Sequence, residues 1–261
     1  MRVFNVPLTP IPAFNDNYIW LWQDQDGHYW VVDPGDANSV INHLASNQIA
    51  LHGILITHHH YDHVGGVEQL IEKYPRSIVV ANPQTCSQST MLPSECASQD
   101  IIRGLTVLDV PAHTLDHIAY FINDGENTPI LFCGDALFSC GCGRLFEGNE
   151  KQLDHVMELF KHLPGHTLVC CAHEYTVDNI KFAQAVEPNN KALDEYLDEA
   201  IKRRLTNQPT LPSTISRELT VNPFMRIAHD SVRQSLNHKY NLSDATNPEL
   251  IGKLREWKDN F

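Results

Sequence analysis

Between Asn17 and Cys171 the chain is written as short apolar runs, and after about residue 175 that pattern stops. Asn17–Trp22 and His28–Asp33 flank a polar Gln-Asp-Gln-Asp-Gly stretch, which predicts a hairpin. Gly53–Thr57, Ser77–Ala81, Leu105–Val110, His117–Ile122, Pro129–Cys133 and Thr167–Cys171 each read as a buried strand. Helical segments lie between some of them. In one, Leu153, Val156, Met157 and Phe160 share a helix face, with Asn149 placed to cap it. Beyond residue 175 the periodicity is helical. Leu193, Tyr196, Leu197, Ala200, Ile201 and Leu205 form an amphipathic pattern that Pro209 and Pro212 end, and further helices are expected near 227–237 and 247–258. The expected fold class is therefore α/β, with a domain over 1–175 followed by a smaller helical domain over 176–261. That helical part gains by docking, because about 85 residues in a few helices bury little on their own.

Composition narrows the function classes. A net charge of -13 argues against a nucleic-acid surface, which needs clustered cations. No run approaches the length of a membrane span, and Met1–Pro10 has no apolar stretch leading to a cleavage site. Seven cysteines without framework spacing read as reduced thiols, so the expected location is the cytoplasm. Cys140 and Cys142 read as packing groups of one loop, Cys170 and Cys171 as small core residues. Lys253, Arg255 and Lys258 make a local basic patch near the C-terminus, which composition alone reads as a solvated helix face.

The chemistry concentrates in Thr57-His-His-His-Tyr-Asp-His63, directly after an apolar run. His58, His60, Asp62 and His63 give the pattern H-x-H-x-D-H. In an extended segment His58 and His60 point the same way and His59 faces elsewhere, while Asp62 and His63 lie past a turn. One loop does not complete a metal site. His113, Asp135 and His173 each follow a β-type run, where the sites of α/β sheets collect. Singly, each reads more readily as a structural residue; together they complete a donor set. His58, His60 and His113 would serve one ion, and Asp62, His63 and His173 a second. Asp135 would bridge them, with a water in the remaining position. These donors suit zinc, iron or manganese; zinc is the expected ion.

The loop with its later His, Asp and His resembles the metallo-β-lactamase superfamily. Gly134–Arg144, Ala172-His-Glu-Tyr-Thr176, Asn222-Pro-Phe-Met-Arg226 and Arg255–Phe261 resemble glyoxalase II, the hydroxyacylglutathione hydrolase family, and the resemblance spans the chain. It implies a four-layer αβ/βα sandwich with a dinuclear site and a helical C-terminal domain that helps hold glutathione. It implies hydrolysis of S-D-lactoylglutathione to D-lactate and glutathione, the second step of methylglyoxal detoxification, with Asp62 and Asp135 in the catalytic centre. It also implies substrate contacts. Arg144, Arg255 and Lys258 match basic positions near the glycine end of glutathione, and Tyr175 matches a tyrosine that contacts it. Phe146 stands where some members have a second tyrosine, so one hydroxyl contact is missing. A monomer is the default expectation. The competing enzyme is a persulfide dioxygenase of the same superfamily, with one iron and fewer protein ligands. A non-catalytic thioester-binding protein is the alternative outside enzymes.

Overall fold

The computed structural model describes residues 8–261. Most of the Met1–Pro10 stretch, read above as lacking a cleavable leader, lies outside the described residues. Contacts divide the chain into two compact units. The first holds residues through Asp109, with Asp116–Gly134 and Cys170–His173; the second holds Val110–Leu115, Asp135–Val169 and Glu174–Phe261.

The first unit begins with β1 (Leu8–Ala13), β2 (Asn17–Gln23) and β3 (Tyr29–Val32), an antiparallel meander. After α1 (Ala37–Asn47) the chain adds β4 (Leu51–Leu55) parallel to β3, then α2 (Tyr61–Val64), α3 (Val67–Lys73) and β5 (Ile78–Val80) parallel to β4. The sheet order is β1-β2-β3-β4-β5. Asp36 caps α1 through Asn38 N and Ser39 N, and Val40 and Leu44 of that helix join Ile19, Val31, Ile54, Val67, Leu70 and Val79 in one core. After α4 (Pro93–Ser98), β6 (Leu105–Asp109), β7 (Ile118–Ile122) and β8 (Ile130–Gly134) make a second antiparallel meander. Buried Tyr120 closes its polar account here, its hydroxyl donating to Ile56 O and Val80 O at 2.8 and 3.1 Å.

α5 (Glu150–Lys161) belongs to the second unit and starts in a reciprocal cap. Asn149 accepts from Lys151 N and Gln152 N, and Gln152 Oε1 accepts from Asn149 N. β9 (Leu168–Cys171) passes through the division between units. Then follow α6 (Thr176–Val186), α7 (Lys191–Leu205), β10 (Ser213–Thr214), α8 (Ile215–Val221), α9 (Asp230–Tyr240) and α10 (Asn247–Asp259). Ile180, Ala183, Leu193, Tyr196, Ala200 and Val221 pack with Cys140, and α10 lies against α5.

Three expectations need correcting. Strands do not stop at residue 175, because Ser213 and Thr214 pair with Val169 and Leu168. The predicted stripe of α7 is narrower than its spacing implies: Ile201 and Leu205 are exposed while Leu193, Tyr196 and Ala200 are buried. Asp62 and His63 do not lie past a turn but within one, the single helical turn α2. All seven cysteines are buried and outside any disulfide. No helix among the described residues is long and apolar enough to cross a membrane.

Candidate functional site

In the first unit the site is built where β3 and β4 end. Asp33, one residue past β3, adopts φ 53 and is buried. Its Oδ1 accepts from Thr57 N at 2.8 Å, and its Oδ2 from Thr57 Oγ1 at 2.7 Å and from His63 Nδ1 at 3.0 Å. One carboxylate thus fixes both the exit of β4 and the ring of His63. Gly35 makes this turn possible, since a Cβ there would stand 2.0 Å from Asp62 O.

His58 is fully buried, its ring stacked on His117 with centroids 4.5 Å apart. Its Nδ1 lies 3.0 Å from Thr57 Oγ1 and its Nε2 3.2 Å from His60 Nδ1, so residues 58 and 60 do share a side. His59 turns away and pairs with Asp116 Oδ1 at 2.9 Å. The ligand-type atoms of Asp62, His63 and His173 all lie within 4.8 Å of one another. His63 Nε2 and His173 Nε2 stand 3.5 and 3.4 Å from Asp62 Oδ2. His173 Nδ1 lies 2.8 Å from Asp16 Oδ1. A carboxylate oxygen only accepts, so both Nδ1 atoms carry a proton; in the neutral rings each Nε2 keeps a lone pair turned toward Asp62, and in the imidazolium forms each Nε2 donates to it. Metal-binding histidines are held in this way by a second carboxylate. Burial alone would raise the Asp62 carboxyl, but hydrogen bonds from His173, His63 and Asn17, with the charge on His63, hold it well below the usual carboxylate range.

The second unit carries the remaining candidates. His113 Nδ1 donates to Arg144 O at 2.8 Å, which leaves Nε2 facing Asp135 Oδ2 at 3.5 Å. Both residues are buried. Gly143 lets the Asp135–Arg144 loop fold back on itself, because a Cβ there would meet Asp135 O at 2.2 Å. His113 and Asp135 line a cavity of about 430 Å³ that also takes in Phe138, Cys142, Arg144, Phe146, Tyr175, Asp178, Asn179, Arg255 and Lys258. All five expected substrate contacts therefore line one cavity. Tyr175 is 37% exposed, its ring edge-on to Phe138. Phe146 is 62% exposed and packs its ring against His113 at 5.2 Å.

The C-terminal basic patch divides. Arg255 is 5% exposed and donates from Nη1 to Cys142 O at 2.9 Å, whereas Lys253 pairs with Glu256 at the surface. This face is not simply solvated. The Lys258 ammonium lies 5.0 Å above the Phe182 ring, and burial together with the Arg255 charge lowers its pKa.

Nitrogen donors with pinned tautomers beside ionised carboxylates are a donor set that fits divalent metal. Asp33, Asp16 and Asn17, which orient these donors, are the residues that sequence reasoning does not single out. The available signals are slight: an Asp-Pro-Gly turn ending a strand, and an Asp-Asn pair at a hairpin turn.

Comparisons with known proteins agree with this geometry. A family model described as "Metallo-beta-lactamase superfamily" matches residues 12–87, and one described as "Hydroxyacylglutathione hydrolase C-terminus" matches 174–261. A hydroxyacylglutathione hydrolase of Shewanella baltica is 48% identical over 265 residues, covering 97% of this chain and 99% of the relative. One from Hahella chejuensis is 44% identical over 255 residues, with coverage of 97% and 99%. Among solved structures, ETHE1 from Myxococcus xanthus superposes with a TM-score of 0.59 at 23% identity, covering 94% of each chain. The BLEG-1 B3 metallo-β-lactamase gives 0.55 at 21%, covering 84% of this chain and 97% of that one. At these identities the two structures speak to the fold alone.

Proposed function

This chain belongs to the hydroxyacylglutathione hydrolase family, glyoxalase II, within the metallo-β-lactamase superfamily, and on that premise we propose that its histidine and aspartate donors would hold two zinc ions. Its fold is the four-layer αβ/βα sandwich of that superfamily with a helical C-terminal region. It is a thioester hydrolase that cleaves S-D-lactoylglutathione to D-lactate and glutathione, and its histidines and aspartates form a divalent-metal centre. The finer assignment is ours. His58, His60 and His113 would hold one ion, Asp62, His63 and His173 the other, and Asp135 would serve both. Residues 1–175 act as the catalytic domain and 176–261 as the substrate-binding one. The chain works as a cytoplasmic monomer.

The observation that carries the metal assignment is the double constraint on His63 and His173. A surface histidine cluster has no need of a carboxylate on each Nδ1, one of them the buried Asp33. When bound, a pair of divalent ions supplies an ionised water near neutral pH and polarises the thioester carbonyl. The protein does the rest. Asp62, held as a carboxylate, accepts a hydrogen bond from the attacking water and orients it. Asp33 and Asp16 keep the imidazoles in the tautomer that leaves Nε2 available. Arg144, Arg255 and Lys258 receive the glycine end of the tripeptide, and Tyr175 and Phe146 flank it. The leaving group is a thiolate whose thiol has a pKa near ~8.5, so no strong general acid is required.

The test is turnover of S-D-lactoylglutathione, followed by loss of thioester absorbance. His58→Ala and Asp135→Ala each abolish it. A variant that keeps near full activity removes that residue from the mechanism.

A further inference from the structure

The last turn of α10 brings a carboxylate back over the arginine one turn before it. Asp259 Oδ1 forms an ion pair with Arg255 Nη2 at 3.0 Å and lies 3.6 Å from Arg144 Nε. These are the two guanidinium groups given above to the glycine carboxylate of the substrate. We propose that Asp259 is an internal stand-in for that carboxylate: it occupies the two arginines until substrate takes them over, and so sets KM. The inference rests on the glutathione reading of this cavity.

Three features decide its sign. Arg255 does not depend on Asp259 for its position: Cys142 O holds Nη1 at 2.9 Å, and the guanidinium lies 5.3 Å from the Phe224 ring centroid. Its Nε is buried and has no hydrogen-bond partner among the described residues, so this guanidinium retains donor capacity. Arg144, by contrast, is 65% exposed, and its long contact with Asp259 is of the kind that yields readily to a competitor. Asp259 also carries the same charge as the incoming carboxylate, beside Lys258. Removing its charge therefore leaves the arginines in place and strengthens their pull on an anionic ligand.

The experiment compares Asp259→Asn with wild type on S-D-lactoylglutathione and on the same thioester with its glycine carboxylate ethyl-esterified. Asp259→Asn lowers KM for the acid about two- to fivefold, the size of one exposed ion pair, with kcat unchanged. It gives no such gain on the ester. Glu256→Gln, which removes a like charge from the same helix where the partner is Lys253, leaves both KM values as they are. A rise in KM for the acid, or no change, overturns the inference. So does an equal gain on acid and ester. Asp259→Ser is the second variant, and melting temperatures accompany both. The two levels fail differently. If wild type binds acid and ester alike, the arginines do not meet the glycine carboxylate and the cavity reading falls too. If wild type prefers the acid and Asp259→Asn gains nothing, only the role of Asp259 falls.

Discussion

Asp33→Asn tests whether the site histidines are tuned as metal donors. The wild-type carboxylate accepts three hydrogen bonds: Thr57 N on Oδ1, and Thr57 Oγ1 with His63 Nδ1 on Oδ2. An amide has one acceptor oxygen and one donor nitrogen. With nitrogen at the Oδ1 position, two donors face each other at Thr57 N. With nitrogen at the Oδ2 position, Thr57 can turn its hydroxyl toward His58 Nδ1, 3.0 Å away. His63 Nδ1 must then accept, which moves its proton to Nε2 and removes the lone pair aimed at Asp62. The first arrangement leaves a buried donor unsatisfied, costing about 1–3 kcal/mol. The second costs metal affinity, and loss of such an orienting carboxylate typically means about 10–100-fold. The assay is metal retained, and turnover kept, across a graded chelator series. Asp33→Asn should release metal at about tenfold lower chelator or less. If it retains metal as wild type does and loses only thermal stability, Asp33 is a structural pin and the donor argument fails.

Two further outcomes follow from other parts of the chain. Glu187 accepts from Arg226 Nε and Nη2 at 2.8 and 2.9 Å and from Ser231 Oγ at 2.6 Å, almost fully buried. Burial would raise its pKa, but Arg226 and Ser231 hold it below the ordinary value. A depressed pKa gives stability that is present above the unfolded value of about 4.3 and lost as pH falls through the folded one. Glu187→Gln should thus cost about 3 kcal/mol in urea unfolding at pH 7 and progressively less as pH falls below about 4.3; a cost that stays the same throughout acid titration would contradict the pairing. Phe146→Tyr adds a hydroxyl to an exposed ring at the cavity rim. It should lower KM about two- to tenfold, the yield of one added hydrogen bond, in steady-state kinetics, and an unchanged KM would mean the substrate does not pass that ring.

How much of this was legible depends on whether the deciding contact was local. Most strands from β2 to β9 showed because apolar runs buried on both faces leave no alternative, although in β6 only Leu105 is buried. The start of α5 showed because its cap lies within four residues. β1 did not, since Pro10 and Pro12 argue against a strand. The sheet tolerates them because β1 is an edge strand pairing with β2 alone, Pro10 opposite Trp20 and Pro12 opposite Tyr18. β10 is two residues long and exists through pairing with β9, over forty positions earlier in the chain. The candidate ligands were legible because their types are rare and follow strands. Their orienting partners were not: Asp16 meets His173 across 157 positions, and an aspartate in a turn looks like any other. The family motif at Asn222–Arg226 was visible as a resemblance, yet its physical content appears only in three dimensions. There Asn222 Nδ2 donates to Phe138 O and Gly141 O, holding the loop between Asp135 and Arg144.

Metal counting on the active protein bears most directly on the whole account. Purified chain is stripped with chelator and titrated back with zinc while bound metal and thioester turnover are read together. Activity should be absent from the stripped chain and should saturate at two equivalents per chain. Full turnover without metal, or complete recovery at a single equivalent, would contradict a pair of ions sharing one water.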